Sequence, residues 1–380
     1  MPVKKISIET FLELSSHLPV MDVRSPGEYI HAQIPGAFSL PLFSDEERKV
    51  VGTAYKQQGK QKAIKFGLDF FGVKMRGMVE EVEKIIGSWQ SGVGSQELAV
   101  GSQELAVKRQ DSELSTPDSE LQKPNRILIH CWRGGMRSGA VSWLLDLYGF
   151  EVYVLTGGYK AYRNWVLSQF EKEYDFKILG GYTGSGKTTI LHELEKNNQT
   201  IVDLEKLANH KGSAFGGIGQ GDQPTQEMFE NLLATDLHKK EKETIWLEDE
   251  SQRIGRLHIP HPLWNTMRAK RVFFVDIPFH ERLIYIVKEY GVCDKEQLLQ
   301  SIQRIQKRLG PLETKTAIAH LYKNEIEECF GILLLYYDKH YKKGLLNREN
   351  IDHLLNKIPA SSVDSIINAE KLVICNTANM

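Results

Sequence analysis

The chain has 380 residues, more than one ordinary small domain holds, so two or three folded cores are expected at about 150 residues each. Hydrophobic residues make up 41% and charged residues 26%, which excludes a disordered or collagen-like chain. With 48 Lys+Arg against 49 Asp+Glu the formal net charge is -1, which excludes coating of nucleic acid by overall charge and leaves only a local basic surface for that task.

The N-terminal MPVKKISIETFLEL carries lysines with no apolar stretch behind them, and no run approaches the ~20 apolar residues that span a bilayer, so no membrane segment is expected. From Pro19 to Leu42, PVMDVRSPGEYIHAQIPGAFSLPL reads as a short apolar strand running to Asp22 and Arg24, a polar turn at SPGE, and a second short strand after IPGA. Apolar positions from Phe66 to Ile86 recur with helical period and predict one amphipathic helix. Residues 94–107 are GSQELAV written twice, and a near-repeat of DSEL follows. Two copies fall short of the three or four heptads a coiled coil needs, and the Gly, Ser and Pro oppose one, so 90–124 is expected to be a disordered, solvated insertion without chemistry.

RILIH (126–130) predicts a buried strand, followed by CWRGGMRSG, a helix from Ser138 to Tyr148, a strand at EVYVL and a helix opening at GGYKAYRNW. Strand alternating with helix implies a right-handed parallel sheet. A second cycle opens at FKILGGYTGSGKTTILHELEK (176–196), with further strands predicted at 200–204, 244–249 and 271–276 before a mainly helical tail after Phe279. The expected fold is α/β: a parallel-sheet domain over 1–172, then a P-loop NTPase-like doubly wound domain with a helical C-terminal part over 173–380. Cys131, Cys293, Cys329 and Cys375 show no CxxC or paired spacing, so neither a zinc site nor a disulfide framework is expected, and a reducing, cytoplasmic compartment fits.

A cysteine attacks only as a thiolate, and converging backbone N–H groups at a helix N-terminus lower its pKa. HCWRGGMRSG supplies that setting: Cys131 ends a strand, Gly134 and Gly135 let the backbone curl, and Arg133 and Arg137 are candidates to bind an anion beside the sulfur. The segment fits the HCxxGxxR(S/T) signature of cysteine phosphatases. It also resembles the active loop of rhodanese domains, whose cysteine carries sulfur or selenium. DVRSPGEYIHAQIPGA resembles the start of a rhodanese domain and VYVLTGGYKAYR its end, so that resemblance spans about Ile6 to Phe170 outside the insertion and implies a rhodanese-like first domain. The phosphatase reading stays open as the second, without an assigned general acid.

GYTGSGKT (181–188) satisfies GxxxxGK(S/T) between an apolar strand and a helix. The candidate phosphate or diphosphate site is Gly181, Gly184, Ser185, Gly186, Lys187, Thr188 and Thr189: glycines for the turn, amides for the cradle, Lys187 for charge, and the Thr188 hydroxyl for a magnesium ion. Asp249, between Glu248 and Glu250, is the candidate acidic or metal-binding residue, with Asp276 as competitor and helix capping as the alternative for either. Arg253, Arg256, Arg304 and Arg308 are candidate RNA or phosphate contacts, with solvated charge as the alternative. His258 and His261 lie three apart without further ligands nearby, so no metal is assigned to them. No tightly bound cofactor is predicted.

The order of CWRGGMRS, GGYTGSGKT, SAFGG, QPTQ and LEDESQRIGR resembles the tRNA 2-selenouridine synthase family over nearly the whole chain, and the GSQELAV duplication departs from that pattern. The resemblance implies conversion of the wobble 2-thiouridine of tRNAs for Lys, Glu and Gln to 2-selenouridine. Geranyl diphosphate first alkylates the sulfur, and selenium from selenophosphate, supplied by a selenophosphate-producing enzyme, then displaces the S-geranyl group. It implies Cys131 as selenide carrier, Arg133 and Arg137 as receivers of selenophosphate or phosphate, and Lys187 as diphosphate anchor. The four arginines above and the lysine pairs at 239 and 342 are the expected basic strip for tRNA, while Trp246, Trp264 and Phe215 are expected to pack in the core. Two other classes stay open on the residues alone: a sulfurtransferase or cysteine phosphatase fused to an ATPase or kinase-like domain, and a non-catalytic, nucleotide-gated binding module.

Overall fold

The computed structural model describes residues 3–90 and 125–377, and the chain divides into two compact units, Met1–Trp165 and Val166–Met380. The repeated heptads, and with them the expected insertion from residue 91 onward, lie outside the described residues.

The first unit is built on five parallel strands, β1 (Lys4–Ile6), β2 (Val20–Asp22), β3 (Phe38–Ser39), β4 (Arg126–His130) and β5 (Glu151–Leu155), in the order β1-β5-β4-β2-β3. β4 lies at the centre of the order, and four of its five residues are buried, as a strand covered on both faces requires. β1 escapes sequence reading because three residues, two of them exposed lysines, carry no periodicity. The SPGE segment is not a turn: it opens a helix, Pro26–His31, in which Ser25 and Glu28 form a capping box and Pro26 takes the first position. The helix expected over 66–86 is two helices, Lys60–Gly72 and Met75–Gln90, preceded by a third, Asp45–Gln58. The break follows from packing. Phe71 is buried, the Lys74 N–H donates to the Phe71 carbonyl at 2.9 Å, and the Lys74 side chain pairs with Glu47. Val82, Ile85 and Ile86 then join Ile127, Ile129, Val141 and Leu145 in one core.

The second unit holds β6 (Asp175–Gly180), β7 (Thr200–Val202), β8 (Thr244–Glu248), β11 (Val272–Asp276) and β12 (Leu355–Pro359) in a parallel sheet of order β12-β11-β6-β8-β7. A separate antiparallel hairpin pairs β9 (Arg253–Ile254) with β10 (Leu257–His258). Leu179, Ile190, Leu194, Trp246, Phe273 and Val275 form the core of the sheet, and a second apolar cluster joins Phe215 to the helices Phe279–Tyr290, Lys295–Leu309, Pro311–Lys323 and Ile326–Leu346. The tail is helical as expected up to Leu346 and then departs from it. Leu355–Pro359 returns as a strand beside β11, and Ser365–Thr377 forms a helix whose Ala369 and Leu372 pack with Ile190 and Leu194. The strand covers what would otherwise be an open sheet edge. No helix among the described residues is long and apolar enough to cross a membrane.

Candidate functional site

In the first unit, β4 delivers Cys131 to the N-terminus of the helix Met136–Tyr148, at the carboxyl end of the central strand where α/β sheets place ligands. Cys131 is 3% exposed, and its Sγ lies 3.2 Å from the Ser138 hydroxyl. Burial opposes ionisation of the thiol, but the Ser138 hydroxyl and the N–H groups of Ser138, Arg133 and Gly135 outweigh it and hold the pKa below the ordinary value. The loop is clamped from the opposite side. The Tyr159 and Lys160 amides donate to the Cys131 and Trp132 carbonyls at 2.8 and 3.0 Å. Gly158, at φ +60, leaves no room for a side chain, since a Cβ would stand 2.3 Å from the Cys131 carbonyl oxygen.

The two arginines of this loop differ. Arg133 is exposed and contributes its backbone N–H to the sulfur, whereas the Arg137 guanidinium is tied to Glu28 at 2.7 Å, and Glu28 also takes Arg48 at 2.9 Å. Arg24 is a framework residue. Its guanidinium pairs with Asp22, donates to the Ala32 carbonyl at 2.7 Å and lies 3.7 Å over the Tyr159 ring. His130, fully buried and pushed down to about 4 by burial, stays neutral beside the cysteine.

In the second unit, β6 runs into the loop 181–186 and the helix Lys187–Lys196. Gly181, Gly184 and Gly186 take φ values of 157, 80 and 70, which L side chains rarely adopt; a Cβ on Gly184 would also meet Ile286 at 2.7 Å. Lys187 Nζ donates to the Gly181 carbonyl at 3.1 Å across the loop, the Thr188 hydroxyl donates to Glu205 at 3.0 Å, and the Thr189 hydroxyl donates to the Gly186 carbonyl at 2.8 Å. Ser185 is fully buried, with its N–H donating to the Tyr182 carbonyl at 3.1 Å. Arg282 fixes the loop from outside. This 3% exposed guanidinium donates to the Thr183 carbonyl at 3.0 Å and forks onto Asp338 at 2.8 and 2.7 Å.

The acidic residues that meet this loop are not the one expected. Asp249 accepts from Tyr341 at 2.7 Å and from Arg348, so its carboxylate is already satisfied, and Asp276 is exposed at the end of β11. Glu248 and Glu250 gather instead with Glu205, a residue the sequence reading overlooked, with ligand oxygens within 4.8 Å of one another. Burial pushes all three carboxyls up, Glu250 to about 8, with Asp203 adding to it at Glu205 and Glu205 adding to it at Glu248 and Glu250, against the pull of Lys187.

The family model described as the tRNA 2-selenouridine synthase AAA domain matches residues 174–356. A tRNA 2-selenouridine synthase of Nitrosomonas europaea is 33% identical over 320 residues, which cover 82% of this chain and 73% of that protein. The chain belongs to the tRNA 2-selenouridine synthase family. A synthase of Bdellovibrio bacteriovorus, 32% identical, extends the similarity to 92% of this chain and 95% of its own. A solved structure, the N-terminal domain of a Clostridium difficile 630 protein, is 36% identical, covering 44% of this chain and 99% of that one with a TM-score of 0.31.

The remaining residues of this synthase family member fall into two groups. Gln223 and Gln226 of QPTQ bind the β9–β10 hairpin by its backbone: Gln223 donates to Ile254 at 3.1 Å and accepts from the Arg256 N–H at 2.8 Å, and Gln226 both donates to and accepts from His258. Arg253 and Arg256 sit exposed on that hairpin, each spending one guanidinium N–H on a nearby carbonyl. Arg304 and Arg308 are exposed on Lys295–Leu309, where Arg304 acts electrostatically on His210 and Arg308 on His340. Among the described residues, neither arginine pair makes a hydrogen bond or ion pair with the phosphate loop. His258 and His261 are exposed and stand in no metal-holding group among the described residues. Trp246 and Phe215 are buried in the core, while Trp264 is half-buried under the Arg268 guanidinium at 4.9 Å. Cys329 is buried and pushed up to about 11, the opposite of Cys131.

Proposed function

We propose that this chain replaces sulfur by selenium at the wobble 2-thiouridine of tRNAs for Lys, Glu and Gln, through an S-geranyl intermediate made from geranyl diphosphate. The Cys131 loop holds selenophosphate, whose selenium adds to C2 of the alkylated base as geranylthiol leaves. Water then splits the Se–P bond to release phosphate, so selenium stays at the selenide level throughout. The phosphate loop with Lys187 anchors the diphosphate of the geranyl donor. The observation that carries this reading is the convergence of the Ser138 hydroxyl and three backbone N–H groups on the Cys131 sulfur, an arrangement that favours a soft anion at that atom. A five-stranded parallel sheet with its cysteine after the central strand supports a rhodanese-like first unit. Arg133 is open to receive selenophosphate, and Arg137 joins it when the Glu28 pair opens. Arg253, Arg256, Arg304 and Arg308 supply exposed charge for tRNA phosphates, and magnesium serves the diphosphate. The setting for such chemistry is the cytoplasm, where tRNA and a selenophosphate-producing enzyme meet.

The test is mass spectrometry of nucleosides from 2-thiouridine tRNA incubated with the chain, geranyl diphosphate and selenophosphate. The wild type is expected to yield selenouridine. Cys131→Ser is expected to stop at the S-geranyl nucleoside, and Lys187→Ala to slow its formation. Unchanged thiouridine with the wild type would overturn the reading and turn attention to sulfurtransferase and phosphatase assays.

A further inference from the structure

We propose that the helical hairpin formed by Asp45–Gln58 and Lys60–Gly72 in the first unit is an RNA-docking surface that leads the tRNA backbone to the cysteine loop. The whole chain has a net charge of -1, yet residues 48–68 hold Arg48, Lys49, Lys56, Lys60, Lys62 and Lys65 and no Asp or Glu. All six cations are exposed. Arg48 pairs with Glu28, whereas the five lysines form no ion pair among the described residues.

A helix pair that only faces water interleaves both signs, because opposite charges three or four positions apart support a helix and like charges at that spacing repel. Here Lys62 and Lys65 stand three apart on one helix. Lys60 and Lys62 also occupy its first turn, where no acidic residue offsets the helix dipole and the dipole opposes a cation. Phosphates arriving from outside relieve both repulsions. The tip favours RNA over an anionic membrane. Residues 56–62 read KQQGKQK, all exposed and with no apolar side chain to enter a bilayer, and the three glutamines among the lysines offer hydrogen bonds to sugars and base edges. Tyr55, 52% exposed beside Lys56, presents a ring on which an unpaired base can stack.

The root of the hairpin is tied to the site. The Gly27 N–H donates to the Asp45 carboxylate at 3.0 Å, and Arg48 shares Glu28 with Arg137 of the cysteine loop, at 2.9 and 2.7 Å. Ala54 and Ala63, one on each helix, are buried, and Gly59 at φ +87 makes the bend between them, so the two helices are held as one element with its lysines outward. A strand of RNA that follows the cations from tip to root reaches Arg137, and with it the loop that carries Cys131. The inference rests on the reading that the chain acts on tRNA, and it gives the first unit a binding surface of its own.

Binding of fluorescein-labelled 2-thiouridine tRNA to the full-length chain is followed by anisotropy between about 50 and 200 mM salt. The triple variant Lys56→Gln, Lys60→Gln, Lys62→Gln is expected to bind at least about ten-fold more weakly, with a salt slope smaller by about two to three, since each phosphate contact contributes about 0.7–0.9. Tyr55→Ala is expected to bind about ten-fold more weakly with its slope unchanged, because stacking releases no counterion. Wild type that binds no tRNA overturns the tRNA reading itself. Wild type that binds, with affinity and slope unchanged in the triple variant, overturns the surface and leaves that reading standing. Phosphatidylserine vesicles are the second arm: vesicle binding lost in the triple variant while tRNA binding is kept assigns the hairpin to a membrane and overturns the proposal. If the triple variant does not melt like the wild type, Lys49→Gln with Lys65→Gln decides instead, with a slope smaller by about one to two.

Discussion

At the scale of single residues, two titrating groups are shifted in opposite directions, Cys131 down and Glu250 up. Cys131 depends on the Ser138 hydroxyl as its leading favourable contact, so Ser138→Ala raises the thiol pKa. Selenium transfer at neutral pH is then expected to slow about ten-fold, the size of one hydrogen bond to an anion. Ultraviolet titration of the thiolate, with Cys131→Ser as blank, checks the direction. Glu250 behaves the other way. Its folded carboxyl is raised to about 8, so between the ordinary carboxylate range and that value the folded chain keeps a proton that the unfolded chain releases. Without metal, stability is therefore expected to fall as pH rises through that window, and Glu250→Gln to flatten the slope. Thermal melts in chelator at several pH values measure both.

At the scale of elements, both candidate sites are strand-to-helix turns held from outside by another segment. The cysteine loop is closed by the turn at Gly157 and Gly158, and the phosphate loop by Arg282 with Asp338. Gly158→Ala forces a side chain into a positive φ and against the Cys131 carbonyl, at a cost of about 1–3 kcal/mol. Because the displaced atoms belong to the loop that stabilises the thiolate, the variant is expected to lose selenium transfer even below its melting temperature. A variant melting like the wild type with full transfer would contradict the clamp. Selenium transfer and a melting curve on the same preparation separate the two effects.

At the scale of the whole molecule, each unit has its own sheet and core, and the phosphate-loop unit is closed by the end of the chain. β12 covers the edge of β11, and Leu372 packs beside Ile190 and Leu194. A chain ending at residue 354 leaves that edge and those side chains bare, each buried leucine being worth about 1.5–3 kcal/mol. Such a truncation is expected to aggregate or to lose the cooperative melt of the second unit, and size-exclusion chromatography with a thermal melt distinguishes it from the full chain.

The amino-acid sequence by itself determined the parts whose chemistry is local. Four buried positions in RILIH make a strand, glycines followed by Lys187 and Thr188 make a phosphate loop, and Cys131 before two glycines makes an anion-holding turn, because each conformation is dictated by residues within a few positions of it. The acidic site shows where that stops. The Asp249 N–H still reaches the Leu179 carbonyl, but the strand ends at Glu248 and the Glu250 N–H turns back onto the Glu248 carbonyl at 2.9 Å, a tight turn with Asp249 at its apex. Glu248 then faces the loop with Glu250, while Asp249 turns to Arg348 and Tyr341, residues about a hundred positions away. Which face belongs to the loop, and that Glu205 from the short helix Leu204–Ala208 after β7 joins it, depend on strand order. The same holds for β12, whose five residues become a strand only because β11 offers an edge. Strand order is decided by how the whole unit buries its apolar surface, and no short stretch of sequence carries that information.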